Sequence, residues 1–247
     1  KIMLNKNYGF AYANNRGVES CNSEYILILN PDILFTQSTF RKITDSMKDT
    51  KIGAVGVKLY GSDNRFQNQY YQKPPSFFQY LFFYSVFAKL FNRKEKYEKK
   101  YLLADIDENA KISQRVNQLP GAFIFMRKKV YDEFKGFDES FFLFFEDVDL
   151  SYRISRKYHL EIEDINVIHT GASSMIKDAD YIYGYYVLSL HNYFRNNYSV
   201  TAFLFLKFAI FVNTIIKITV EFAKKLFYVN KPGILKVHLY ILSKLFK

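Results

Sequence analysis

Apolar residues fall in short runs separated by polar turns over the first two thirds of the chain, and in long stretches towards its end. Residues 25–30 (YILILN) form a continuous apolar run, which predicts a strand buried on both faces, as in a parallel sheet. The run stops at Asn30-Pro31-Asp32, because proline cannot continue an interior strand. Ser38 or Thr39 can cap a following helix with apolar positions Phe40, Ile43 and Met47. Residues 52–59 (IGAVGVKL) read as the next strand. Strand, helix, strand is the signature of an α/β layer. Further on, 122–126 (AFIFM) and 162–169 (IEDINVIH) read as strands. Between them, residues 147–158 carry Leu150, Ile154 and Tyr158 at helical spacing, with Arg153, Arg156 and Lys157 near the end that favours cations. Residues 61–75 read as loop, 77–91 are apolar nearly all round, and 93–100 (RKEKYEKK) read as a solvated charge run.

Residues 200–228 are strongly apolar but interrupted by Lys207, Thr214, Lys217, Glu221 and Lys224, which share one helical stripe. The charge-free piece between Lys207 and Lys217 is too short to span a bilayer. Two readings stand. One is an amphipathic helix in the membrane interface with its basic face towards anionic head groups. The other is a helix packed on the preceding domain.

Composition narrows the classes. Hydrophobic residues make up 49 % of the 247, so disorder is excluded and one sizeable core is expected. The single Cys21 excludes a disulfide framework and fits a reducing compartment. Net charge is 35 − 24 = +11, which calls for an anionic partner such as a nucleotide or an acidic membrane. Nucleic acid is disfavoured, since the basic residues are dispersed and no DNA or RNA motif occurs.

Four constellations carry candidate chemistry. Asn30-Pro31-Asp32 follows a buried strand, where ligands of open α/β sheets bind, and a carboxylate there can hold a divalent cation against phosphate. Glu146, Asp147 and Asp149 crowd a helix start behind a run of phenylalanines. A helix cap needs fewer acids, and a carboxylate so placed can act as a general base. His169 ends a strand and becomes a metal candidate only if the fold brings it near Asp32. Asn7, Gly9 and Asn14 offer close backbone approach and amide groups to a sugar or base, without the lysine of a P-loop.

Seven motifs stand in order: N-x-G-F (7–10), A-N-N-x-G (13–17), L-N-P-D (29–32), P-G-A (120–122), G-F-D-E-x-F-F (136–142), E-D-x-D-L-x-x-R (146–153) and H-x-G-x-S (169–173). Together they resemble the family-two glycosyltransferases, in the branch similar to bacterial rhamnosyltransferases of surface polysaccharide assembly. The resemblance covers about residues 5–195. It implies a GT-A fold, a Rossmann-like α/β domain over 1–195, followed by a helical segment over 196–247. It also implies inverting transfer from a nucleotide-sugar, with Mg²⁺ or Mn²⁺, to a glycan or polyprenyl-linked acceptor at the cytoplasmic face of the membrane. Asp147 matches the family's catalytic base, with Glu146 beside it. Asp32 matches the last acid of the metal-binding D-x-D, whose first acid is Asn30 here, and His169 matches a second metal ligand. Gly121 and Ala122 match the segment lining the donor sugar, and Asn7, Gly9 and Asn14 the segment near the nucleotide. Phe141, Phe142, Phe144 and Phe145 are expected to wall the site against water. The family's opening strand-helix-strand has no counterpart, so the domain is expected to be N-terminally incomplete. A degenerate, non-catalytic binding protein is the alternative reading.

Overall fold

The computed structural model describes residues 2–90, 97–104, 106–171, 179–227 and 232–246. Ala172 and Ser173 of the last motif, and 93–96 of the charge run, lie outside the described residues. The chain divides into two compact units: residues 1–74, 102–142 and 146–173 form one, and 75–101, 143–145 and 174–247 the other.

The first unit is a mixed α/β layer. Helix α1 (Phe10–Glu19) buries Ala11, Asn15 and Val18, spaced four and three apart on one face. Strand β1 (Tyr25–Leu29) is followed by the short β2 (Ile33–Leu34), helix α2 (Gln37–Ser46) and β3 (Ile52–Tyr60). Helix α2 starts ahead of the expected Ser38 or Thr39, and Thr36 occupies its N-cap position. Then come β4 (Gln114–Val116), β5 (Phe123–Arg127), α3 (Lys128–Glu133), α4 (Glu146–Ser155) and β6 (His159–His169). The strand order is β1-β5-β3-β6-β2, with β4 against β6.

Only β3 and β6 pair in parallel; β5 runs antiparallel between β1 and β3. The expectation of β1 as a parallel strand buried on both faces is therefore corrected. Strand β1 pairs antiparallel with β5 at the end of the described sheet, so its side chains alternate between buried and half-buried. Strand β3 has a partner on each side, and all its residues but Tyr60 are buried. Because β5 is reversed, its start lies at the carboxyl end of β1, with Leu29 opposite Phe123.

Asn15 is a buried hub in this unit. Its amide nitrogen donates to the Phe137 carbonyl and to Glu139 at 2.9 Å each, and its oxygen accepts from the Phe137 amide at 3.0 Å and from the Tyr131 hydroxyl. Burying an asparagine costs free energy unless such bonds are made.

The second unit is helical: α5 (Ala179–Asn197), α6 (Val200–Phe227) and α7 (Pro232–Leu245), with short turns over 77–90. The sequence boundary at 195/196 falls inside this unit, since α5 packs with α6 and α7. Phe145, Phe144, Tyr186 and Tyr193 share ring contacts there. The polar stripe of α6 points inward. Asn213 and Thr214 are buried, and the Lys217 ammonium lies 3.8 Å from the centre of the Tyr183 ring and 3.4 Å from the Tyr84 carbonyl. Lys207 lies over the rings of Phe203 and Phe246. Both lysines are half-buried against rings of the chain, and the side chain of Lys224 lies outside those described. With its cations against rings, Val200–Ala223 reaches a mean hydropathy of 1.9 over its most apolar stretch and is long and apolar enough to cross a membrane.

Replacing Asn15 with Ala takes the asparagine partner from three buried groups, the Phe137 amide and carbonyl and the Tyr131 hydroxyl. Chemical denaturation is expected to register a loss of about 2–4 kcal/mol, while Asn14→Ala, on the half-buried side of the helix, costs under about 1 kcal/mol.

Candidate active site

The carboxyl ends of β1, β3 and β6 and the start of β5 lie at one end of the sheet, and four of the six motif segments that carry predicted site residues meet there. The Asn30 amide donates to the Ala122 carbonyl at 2.9 Å. Next to it, the Gly121 amide donates to Asp147 Oδ2 at 2.7 Å. A Cβ at position 121 would lie 3.2 Å from that oxygen and 3.3 Å from Asp147 Cβ, so glycine is what admits the carboxylate. Asp147 Oδ1 accepts from the Val148 amide at 2.9 Å, which gives the anion two backbone donors.

Three residues further along from Asn30, β2 pairs with the end of β6, Ile33 opposite His169. The Thr170 amide donates to the Asp32 carbonyl at 3.1 Å. This register sets Asp32 Oδ1 3.4 Å from His169 Nε2. The condition set for His169, that the fold bring it to Asp32, is met. The Asp147 carboxylate is thus linked to Asp32 through the backbone of Gly121, Ala122 and Asn30.

Gln67 was not anticipated from the sequence. Its Oε1 lies 2.8 Å from His169 Nδ1, and its Nε2 donates to the His169 carbonyl at 2.9 Å. A carbonyl accepts only, so the amide nitrogen must face it and the amide oxygen must face the ring. Nδ1 therefore carries the proton, and Nε2 turns a lone pair towards the Asp32 carboxylate. Burial holds the His169 pKa below the ordinary value, against the opposing pull of Asp32, which keeps the ring neutral. Asp32 Oδ1 and His169 Nε2, 3.4 Å apart, could hold a cation between them. Among the described residues no group of three or more His, Cys, Asp or Glu is placed to hold a metal. The donor pair fits an ion such as Mg²⁺ or Mn²⁺ that takes its other ligands from phosphate and water.

Glu146 is buried, and its Oε2 has no hydrogen-bond partner among the described residues. Burial first, and the neighbouring Asp147 charge second, push its pKa up to about 8. Burial also raises Asp147, opposed by the amides of Gly121 and Val148. Burial thus raises both acids, and the two neighbouring amides oppose the rise at Asp147. The chain enters α4 through Phe144 and Phe145 at φ 69° and 67°, a left-handed pair costing about 1–2 kcal/mol per residue. Their rings pack on Tyr186 and Tyr193, and Phe141 is buried.

Asn7, Gly9 and Asn14 sit apart in the chain, at the start of α1. Asn7 Oδ1 accepts from the Gly9 amide at 2.9 Å, and Asn14 Nδ2 donates to the Phe10 carbonyl at 2.9 Å. Gly9, at φ 94°, has its α-carbon against the Phe142 carbonyl, where a Cβ would be 2.3 Å from the oxygen. Asn7 and Asn14 thus use these atoms to shape the turn and the helix.

Two outcomes are expected from this geometry. Long-range ¹H–¹⁵N spectra at neutral pH will give His169 the pattern of an Nδ1-protonated ring; Gln67→Leu will lose that preference and Gln67→Glu will keep it. In addition, the folded protein holds the Glu146 proton from pH 4.5, the ordinary value, to about 8, whereas the unfolded chain releases it. Stability from this group is therefore full below pH 4.5 and falls as pH rises towards about 8. Denaturation midpoints of Glu146→Gln should decline less over that window than those of the parent.

The model of the glycosyltransferase-like family 2 matches residues 3–159, which takes in every predicted site residue except His169. The chain is also 24 % identical over 155 residues to rhamnosyltransferase WbbL of Escherichia coli (strain K12), an alignment covering 60 % of this chain. It spans about half the length of that relative, 54 %. With more than half of its residues matched, and with the motif acids gathered at the carboxyl end of a mixed sheet, the chain belongs to glycosyltransferase family 2.

Proposed function

We propose that this chain carries the catalytic residues for moving a sugar, rhamnose by analogy with the curated relative, from a nucleotide-sugar to a glycan or polyprenyl-linked acceptor in bacterial surface polysaccharide synthesis, with inversion. The observation that carries this reading is the Asp147 carboxylate, held by two backbone amides and joined through Gly121, Ala122 and Asn30 to the Asp32–His169 pair.

In this mechanism Asp147 accepts the proton of the acceptor hydroxyl while that oxygen forms a bond to the anomeric carbon. The bond from that carbon to the diphosphate oxygen breaks with it, and the nucleoside diphosphate leaves on the opposite face. A raised pKa suits Asp147 to this role, since a stronger base withdraws the proton more readily. Glu146, protonated at neutral pH, spares Asp147 the repulsion of a second anion. Asp32 and His169 Nε2 would hold the divalent ion, which supplies charge neutralisation for the departing diphosphate. Gln67 keeps the His169 lone pair turned to that ion. The +11 net charge and the apolar α6 support work at the cytoplasmic face of a membrane, where lipid-linked acceptors sit.

The test is nucleoside diphosphate release from a panel of nucleotide-sugars, with Mn²⁺ or Mg²⁺ and a lipid-linked acceptor. One donor is expected to turn over. Asp147→Asn should lower kcat about 10²- to 10⁴-fold with KM for the donor little changed. Asp32→Ala should weaken both Mn²⁺ binding and turnover. Donor binding without release from any nucleotide-sugar would replace this reading with that of a non-catalytic binding protein.

A further inference from the structure

Helix α6 is built inside out. Its polar members turn into the helical unit: Asn213 accepts from the Val86 amide at 2.7 Å and donates to the Tyr183 hydroxyl at 3.1 Å, and Lys217 lies over the Tyr183 ring. Leu204, Phe208, Ile215 and Phe222, spaced four, seven and seven apart, share the opposite face and are exposed, Phe208 by 65 %. Water-soluble helices put these two faces the other way round. A 24-residue helix is about 36 Å long, against about 30 Å of hydrocarbon in a bilayer.

We propose that bilayer acyl chains cover the outward face of α6, deepening the membrane part of the proposed function. Among the described residues, the exposed polar side chains of α6 are Thr201 and Thr219. Thr219 Oγ1 donates to the Ile215 carbonyl at 3.0 Å, and Thr201 Oγ1 lies 3.1 Å from Ser199 Oγ. Their hydroxyls are thus satisfied within the chain, as hydrocarbon requires. A protein partner would ordinarily be met with about one hydrogen bond per 100–200 Å², and this face presents no charged side chain to such a partner. Among the described residues the exposed positions of α6 carry no lysine or arginine, so attraction to anionic lipid is not what the face is shaped for.

The chain has no tryptophan, so Phe208→Trp gives a single reporter on this face, and Ile112→Trp, exposed on the sheet unit, gives the control. With vesicles of neutral phosphatidylcholine, Phe208→Trp should shift its emission to the blue and lose about half of it to brominated acyl chains. The signal should persist in about 1 M salt, where screening acts within about 3 Å. The Ile112→Trp emission should not respond. Leu204→Glu with Phe208→Glu should lower partitioning by roughly two orders of magnitude, with helicity unchanged by circular dichroism. Capture by anionic vesicles alone, with release by salt, would overturn the proposal in favour of head-group attraction. A lipid-free dimer in which Phe208→Trp is already shielded would overturn it in favour of a second copy. Partitioning is read without turnover, so its failure leaves the transferase reading standing, and lost turnover with partitioning intact does the reverse.

Discussion

The bond from the Gly121 amide to the Asp147 carboxylate sets the rest of the site. It exists because β5 runs against β1, which brings residues 120–122 to the carboxyl end of β1, and because position 121 has no side chain. A parallel strand in that place would start at the opposite end of the sheet. The acid would then face open space, and Asn30 and Asp32 would have no link to it. The register of β2 on β6 completes the arrangement, since a one-residue slip would turn His169 to the other face of the sheet.

Electrostatics and backbone strain meet at the start of α4. Two anions buried side by side repel, and Glu146, without a hydrogen-bond partner for Oε2 among the described residues, is pushed up to about 8. The two left-handed phenylalanines before it are compensated by aromatic packing on Tyr186 and Tyr193. Such strain persists where surrounding contacts over-determine it.

Much of the sheet was legible in the sequence. The runs at 25–30, 52–59 and 122–126 are strands because short apolar stretches between turn residues have few other uses. The acids at 146–149 announce a helix start, and the motif order announces the family. Strand direction was not legible, because a buried antiparallel strand and a parallel one carry the same apolar run. Gln67 was invisible because its partner is 102 residues away. The sense of α6 was missed for a different reason: periodicity shows that two faces differ, and says nothing about which one meets the protein.

Gly121 has one more consequence. Burial raises the Asp147 carboxyl, and the first contact that opposes this is one in which the neighbour contributes only an N–H and an absence. A single methyl at 121 would press on the carboxylate and lengthen that bond without altering any acid in the site. Position 121 thus tunes the surroundings of Asp147 while every acid of the site stays in place.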